Sequence, residues 1–451
     1  MRQLISLCLI GSMAIISVLT SQGSTRTAEP VVQTPISRVD VKKLIQLLDR
    51  KDIAGAIRLV EQGWQDQYED YYQGQLTTQL LEVDAISQRL NNLYRLTGKR
   101  SALVYVVPTP DHLELILVPP GARPIHRRVL SANRSTLLQG VKSFRDGVMT
   151  PISTRSIYLP SAQRLYQMMI APIEQDLKAS RIDTLIFCLG GGLRTAPLAA
   201  LHDGDRFLIE KYNLAIIPAF NLLDSRPVSL KGAKVLAMGA SDFEEQSPLP
   251  FVPLELTTIA QYLWSGDVLL NRDFTLENLR AYRTKQLYRI VHLATHADFA
   301  PGSILDSYIQ FSDQRLTPNR FRELSLSYPE VQLLVLSACR TAVGNTQAEL
   351  GFAGLAVMSG SRAAIASLWQ VSDAGTLALM TEFYRQLKTS NKTEALRRTQ
   401  IAMLSKQMSL KNNIALRSRT NSLSSDLSDS QINDVSHPYY WAAFTVIGNA
   451  W

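Results

Sequence analysis

Tyr288-Arg-Ile-Val-His-Leu-Ala-Thr-His296-Ala-Asp-Phe299 and Gln332-Leu-Leu-Val-Leu-Ser-Ala-Cys339-Arg-Thr-Ala342 bracket the stretch on which the fold turns. Each is a short apolar run rich in β-branched and leucine residues, and each closes on a reactive side chain. Runs of this kind between helical patterns read as buried parallel strands. In an open α/β sheet, sites form at the carboxyl ends of strands. That rule puts His296 and Cys339 on one rim, as a base and a nucleophile. Taken singly, a strand-end cysteine is more often a small buried hydrophobe and a lone histidine a satisfied loop residue. Their pairing at matching strand ends carries the catalytic reading.

The chemistry asks for these two residue types. A thiol with a free pKa of about 8.5 is mostly protonated at neutral pH, and the thiolate is the nucleophile. A histidine within hydrogen-bond reach takes that proton and later returns it to the leaving amine. The interval from 296 to 339 holds a loop, a short strand, a helix and a second long strand, which leaves both residues on one edge.

Outward from this stretch, strands are expected at 234–238, 268–270, 289–295, 308–311, 332–339 and 362–369. Helices are expected at 253–264, 276–285, 317–324, 348–359, 374–388 and 392–406. Alternation of this kind argues for a mainly parallel α/β sheet covered on both faces. The stretch 407–436 is dominated by Ser, Asn and Asp and reads as a loop and a processing site. A last strand at 440–447 then has to return to the sheet. Before position 228, helical stripes at 39–72 break near 49–52 and form a packing arm. A longer helix is expected at 76–97, a hairpin at 102–107 and 113–118, helices at 135–146 and 161–180, and short strands at 183–189, 207–210 and 214–218. The turn Gly190-Gly191-Gly192 invites a phosphate-loop reading, but it lacks the G-x-G-x-x-G or G-K-[ST] spacing that nucleotide binding requires.

The 451 residues are 46% apolar and 19% charged, which suits a globular protein and excludes a disordered one. A net charge of +8 without a Lys/Arg block gives no footing for nucleic acid as a partner. Residues 1–24 carry Arg2, an apolar run from Leu4 to Leu19, and Ser21 and Gly23 as small cleavage-site residues. They read as an export signal, or as a membrane anchor if uncut, and make export to the periplasm or outside the cell the expected location. Cys8 inside that run lacks the small-residue context of a lipid-modified cysteine. Once the segment is removed, Cys188 and Cys339 remain, too few for a disulfide framework, and free thiols are expected. No metal-ligand spacing occurs, and no cofactor is expected.

His-Leu-Ala-Thr-His296, Leu-Ser-Ala-Cys339-Arg-Thr-Ala, Glu349-Leu-Gly-Phe-Ala-Gly, Ala366-Ser-Leu-Trp-Gln-Val-Ser-Asp373 and His437-Pro-Tyr-Tyr-Trp-Ala-Ala-Phe together resemble the CHAT family. This is the caspase-like domain associated with tetratricopeptide repeats and related to separases. The likeness runs from about residue 76 to the end. It implies a caspase-like sheet with an inactive caspase-like half at 76–228 and a catalytic half at 229–451, preceded by the linker and short helical region that the residues themselves indicate at 25–75. It also implies cysteine endopeptidase activity on protein or peptide substrates, with His296 as base, Cys339 as nucleophile and a regulatory protein partner. The backbone N–H groups of Ala297 and Cys339 would bind the oxyanion. Ala297 stands where caspase-like enzymes usually have glycine, and the repeats expected in front are nearly absent. Asp298 and Asp373 are candidates to hold a basic substrate side chain, as the separase relatives suggest, and Trp369 to wall the groove. A solvated loop carboxylate, a helix cap and a core tryptophan are the plainer roles for these three. The alternative function is a catalytically silent module that keeps the fold and holds a partner.

Overall fold

The computed structural model describes residues 38–77, 80–341, 345–408 and 434–451, and places Ala338, Cys339, Thr341 and Thr346 through their backbone. The export segment, the linker up to residue 37 and most of the polar stretch after 407 lie outside the described residues.

The arm is two helices, α1 (Val41–Asp49) and α2 (Ile53–Tyr72). Two aspartates fix the break. Asp40 accepts from Lys43 N at 3.1 Å and Asp52 from Gly55 N at 2.8 Å, each capping its own helix. The arm is part of the core and not a free array. Glu61 of α2 is fully buried and accepts from Tyr105 Oη at 2.7 Å and from the N–H groups of Phe220 and Asn221 at 2.9 Å.

The next helix, α3 (Val83–Thr97), starts later than its pattern predicts. Side chains claim the preceding N–H groups: Glu69 Oε1 accepts from Leu76 N and Asn221 Oδ1 from Leu81 N, both at 2.9 Å. Strands β1 (Ser101–Pro108) and β2 (Leu113–Val118) form the expected antiparallel hairpin, and β3 (Ile125–Val129) adds an edge strand. Helices α4 (Arg134–Val148), α5 (Arg155–Met169) and α6 (Ala171–Ala179) lead into β4 (Thr184–Leu189). The strand expected at 207–210 is instead a single helical turn, α7 (Leu208–Lys211), because Glu210 Oε2 accepts from Phe207 N at 2.7 Å and caps it. Strand β5 (Asn213–Ile217) closes this half.

The second half runs β6 (Lys234–Gly239), α8 (Val252–Thr257), β7 (Ser265–Leu270), α9 (Leu276–Lys285), β8 (Ile290–Phe299), β9 (Tyr308–Gln310), β10 (Arg315–Leu316), β11 (Leu333–Thr341). It continues with α10 (Thr346–Ala353), α11 (Leu355–Ser359), β12 (Ala363–Ser367), α12 (Asp373–Leu387), α13 (Lys392–Leu404), α14 (Pro438–Trp441) and β13 (Phe444–Gly448). α8 passes into a π-helical turn ending at Leu263, and 318–324 is 3₁₀ instead of α.

All these strands belong to one mixed, mainly parallel sheet in the order β10-β9-β8-β11-β12-β13-β5-β4-β1-β2-β3, with β6 beside β8 and β7 beside β6. The two halves meet at β13, which runs antiparallel to β12 and parallel to β5. Strands of the centre are buried on both faces, as in β4 and β12, so their sequences read as unbroken apolar runs. At about 1.5–3 kcal/mol per fully buried large aliphatic or aromatic side chain, this shared core is what makes the halves one body.

Candidate active site

β8 and β11 are parallel neighbours, as their sequences predict. Ala338 lies opposite His296, Cys339 opposite Ala297 and Arg340 opposite Asp298. His296 and Cys339 therefore occupy consecutive rows of adjacent strands, near the carboxyl ends of both. Between the Leu336 and Ala338 pairings the register shifts, with three steps along β8 facing two along β11. A bulge of this kind re-aims a side chain next to a site.

The His296 ring is held from one side by the chain after β6. Its Nε2 lies 2.8 Å from the carbonyl oxygen of Ser247, and Phe243 packs edge-on with centroids 4.6 Å apart. A carbonyl only accepts, so Nε2 carries the proton and, in the neutral ring, Nδ1 is the free acceptor. The sequence reading missed Ser247 and Phe243. A backbone acceptor leaves no trace in residue type, and Phe243 sits in a polar stretch that reads as plain loop.

Ala297 is paired on both sides, with Cys339 on β11 and Ile309 on β9. It is not among the residues of positive φ, so alanine fits where a glycine was expected.

The three specificity candidates fare differently. Asp298 is already engaged, with Arg340 Nη2 2.5 Å from its Oδ2. Asp373 is the first residue of α12 and not its cap; Ser372 caps the helix by accepting from Gly375 N at 3.2 Å. The Asp373 carboxylate accepts from Phe251 N at 2.6 Å, and burial, with Glu255 nearby, pushes its pKa up to about 7 despite that hydrogen bond. The segment 243–251 thus touches both His296 and Asp373. Trp369 is fully buried and donates to Tyr439 O at 3.0 Å, with the Arg145 guanidinium 5.6 Å from its ring, so it belongs to the core and walls no groove.

His292 is structural, as its position on the strand suggests. It is fully buried between Glu255 Oε1, 2.8 Å from Nε2, and Tyr384 Oη, 3.1 Å from Nδ1. Cys188 is a free, buried thiol whose pKa burial drives well upward, which suits an inert side chain. Among the described residues no cluster of three or more His, Cys, Asp or Glu could hold a metal, and no helix is long and apolar enough to cross a membrane.

The glycine turn after β4 does hold a carboxyl oxygen, but one from this chain. Gly192 N donates to Glu349 Oε2 at 2.7 Å, and Glu349 lies in the first turn of α10. That occupancy explains why a phosphate-loop reading fails here.

The sequence matches no curated protein. Among solved structures, the separase–securin complex of Saccharomyces cerevisiae gives a TM-score of 0.51 at 9% identity, covering 89% of this chain and 34% of that one. A second structure of that complex gives 0.45 at 10% identity, covering 88% and 31%. The complex of Porphyromonas gingivalis RgpB pro- and mature domains gives 0.37 at 11% identity, covering 69% and 76%. The chain thus spans about a third of the separase chains it matches, and at 9% identity the match of TM-score 0.51 is a likeness of fold, a caspase-like sheet. The sequence profile of the CHAT domain matches residues 159–449, and the chain belongs to the CHAT family.

Proposed function

We propose that this protein is a caspase-like cysteine endopeptidase in which His296 and Cys339 form the dyad. The observation that carries the reading is that both residues lie near the carboxyl ends of two parallel neighbours, β8 and β11, where sites form in such sheets. The tautomer supports it. With Nε2 bound to the Ser247 carbonyl, Nδ1 is the nitrogen that accepts the thiol proton and returns it to the leaving amine. The thiolate attacks the scissile carbonyl, the amine departs with that proton, and water then releases the acyl group.

A preference for a basic residue before the cut rests on Asp298, one row beyond Cys339, and on Asp373 behind the 243–251 segment. Asp298 now holds Arg340 in the manner it would hold a substrate arginine. A positional-scanning peptide library, cleaved by the purified protein and by Cys339→Ala, tests the whole reading. Cleavage after Arg or Lys that vanishes in the variant is the expected result; a variant that cleaves as well as the parent sinks it.

A second reading is a catalytically silent module that grips a protein partner. The pairing of Ala297 on both sides and the occupied Asp298 favour it. The separase structures hold securin, so a protein partner fits either reading. A cysteine-directed acylating probe separates the two, because a silent module leaves Cys339 no more reactive than free cysteine.

A further inference from the structure

We infer that Glu349 is a positioning residue for Cys339, acting through α10 and anchored in the half of the sheet that carries no dyad. The inference rests on the peptidase reading above. It starts from the Glu349-Leu-Gly-Phe-Ala-Gly run, which the dyad leaves unexplained.

Glu349 is fully buried, and it is the first acidic residue after the nucleophile strand. A buried carboxylate is costly unless it is hydrogen-bonded and compensated by charge. Here the compensation comes from the other half of the sheet. Gly192 donates its N–H at 2.7 Å, and Arg194 is the largest favourable charge acting on the carboxylate. Gly192 has φ +95°, and a Cβ there would lie 2.0 Å from Leu138 Cδ2, so the turn is shaped to present that amide. Burial still pushes the Glu349 pKa upward. Glu349 Oε1, Arg194 Nη1, Thr195 Oγ1 and Tyr68 Oη are all buried without a hydrogen-bond partner among the described residues. Groups this expensive persist where the surrounding structure over-determines them, commonly next to a site.

The helical arm closes the same arrangement. Arg194 Nη2 donates to Gln67 Oε1 at 3.0 Å, and its guanidinium lies 5.4 Å from the Tyr68 ring centroid. Tyr72 Oη contacts the carbonyl oxygens of Leu350 and Gly351 at 3.2 and 3.3 Å. The two glycines of the run make room for this contact. A Cβ on Gly351 would lie 2.9 Å from both Phe299 of β8 and Tyr71 Oη, and one on Gly354 would lie 2.6 Å from Tyr72 Oη. α10 is therefore fixed from three directions, by the glycine turn, the arm and the end of the histidine strand. α10 begins at Thr346, close after Cys339 in the chain, and it is through this helix that Glu349 is inferred to act on the nucleophile.

The test follows alkylation of Cys339 by iodoacetamide against pH in the full chain, resolved by site with mass spectrometry, alongside thermal unfolding. Glu349→Ala should slow alkylation at least tenfold and move the pH inflection up toward the ordinary thiol value of about 8.5. Glu349→Gln keeps an acceptor for Gly192 N and should recover most of the rate. A purely structural Glu349 would lower the melting temperature in both variants and leave the inflection unmoved below it, which overturns the inference. Should Glu349→Ala fail to fold, Tyr72→Phe removes only the hydroxyl contact to α10 and should slow alkylation about threefold; no change overturns the inference. A parent Cys339 no faster than free cysteine overturns the peptidase reading and this inference with it. A reactive parent and an equally reactive Glu349→Ala overturn the inference alone.

Discussion

Arg340 and Asp298 face each other across β11 and β8, one row beyond Cys339, with Nη2 and Oδ2 2.5 Å apart. Arg340 is largely exposed while Asp298 is mostly covered, so the pair stabilises the fold little, about 0–1 kcal/mol. Its effect is to occupy the carboxylate. Arg340→Ala should leave the melting temperature nearly unchanged and raise cleavage after Arg or Lys severalfold relative to neutral residues, measured on matched peptides. Loss of that preference instead would make Arg340 part of the substrate contact.

The buried His292–Glu255 pair is predicted to be a stability element with no part in catalysis. Removing Glu255 leaves Nε2 of the buried His292 ring without its partner, at about 1–3 kcal/mol. Glu255→Ala should therefore unfold at much lower denaturant, while thiol alkylation of the still-folded protein stays within twofold of the parent. A large drop in alkylation with intact fold would argue that His292 belongs to the site.

Asp373 gives a pH signature with a definite sign. Its folded pKa of about 7 lies above the ordinary carboxyl value, because burial disfavours the charged form. The folded state then holds a proton that the unfolded chain has lost, so the contribution is fully present below about pH 4 and disappears as pH rises through 7. Asp373→Asn keeps an oxygen for Phe251 N and removes the charge. It should be more stable than the parent at pH 8, by at most about 4 kcal/mol, and the difference should shrink to nothing by pH 4. Denaturant melts across this range would show it; a parent that gains stability with rising pH would refute it.

Gly192→Ala should cost about 3 kcal/mol, combining a left-handed backbone with a clash against Leu138. Because the Gly192 amide is committed to Glu349, equilibrium titration with nucleoside triphosphates should show no binding to parent or variant. Saturable binding to the parent would reopen the phosphate-loop reading.

What the sequence disclosed and what it hid divide along the range of the interactions. Runs such as Leu333–Leu336 are apolar without break because they are buried on both faces, so the parallel β8–β11 pair was legible from composition alone. The break between α1 and α2 was legible too, since Asp52 is a local cap. β3 was not, because Ile-His-Arg-Arg-Val sits half-buried at an edge and its charges are met by Glu114 on the next strand. The start of α3 was hidden by a hydrogen bond from Leu81 to Asn221, far along the chain. For the candidate site, residue types single out His296, Cys339 and two carboxylates. The Ser247 carbonyl that sets the tautomer and the amide that holds Glu349 are backbone groups, which every residue carries.

The placement of β13 between β12 and β5 bears on the order in which the protein can assemble. Strands β1 to β5 emerge from the ribosome before β6 to β13 and until then present β5 as a bare edge. Strands β6 to β12 can pair among themselves, yet among the described strands they join β5 through β13, which follows them in the chain. Completion of the sheet therefore waits on translation and on the closure of one very long loop, the kind of contact that slows folding and leaves intermediates exposed.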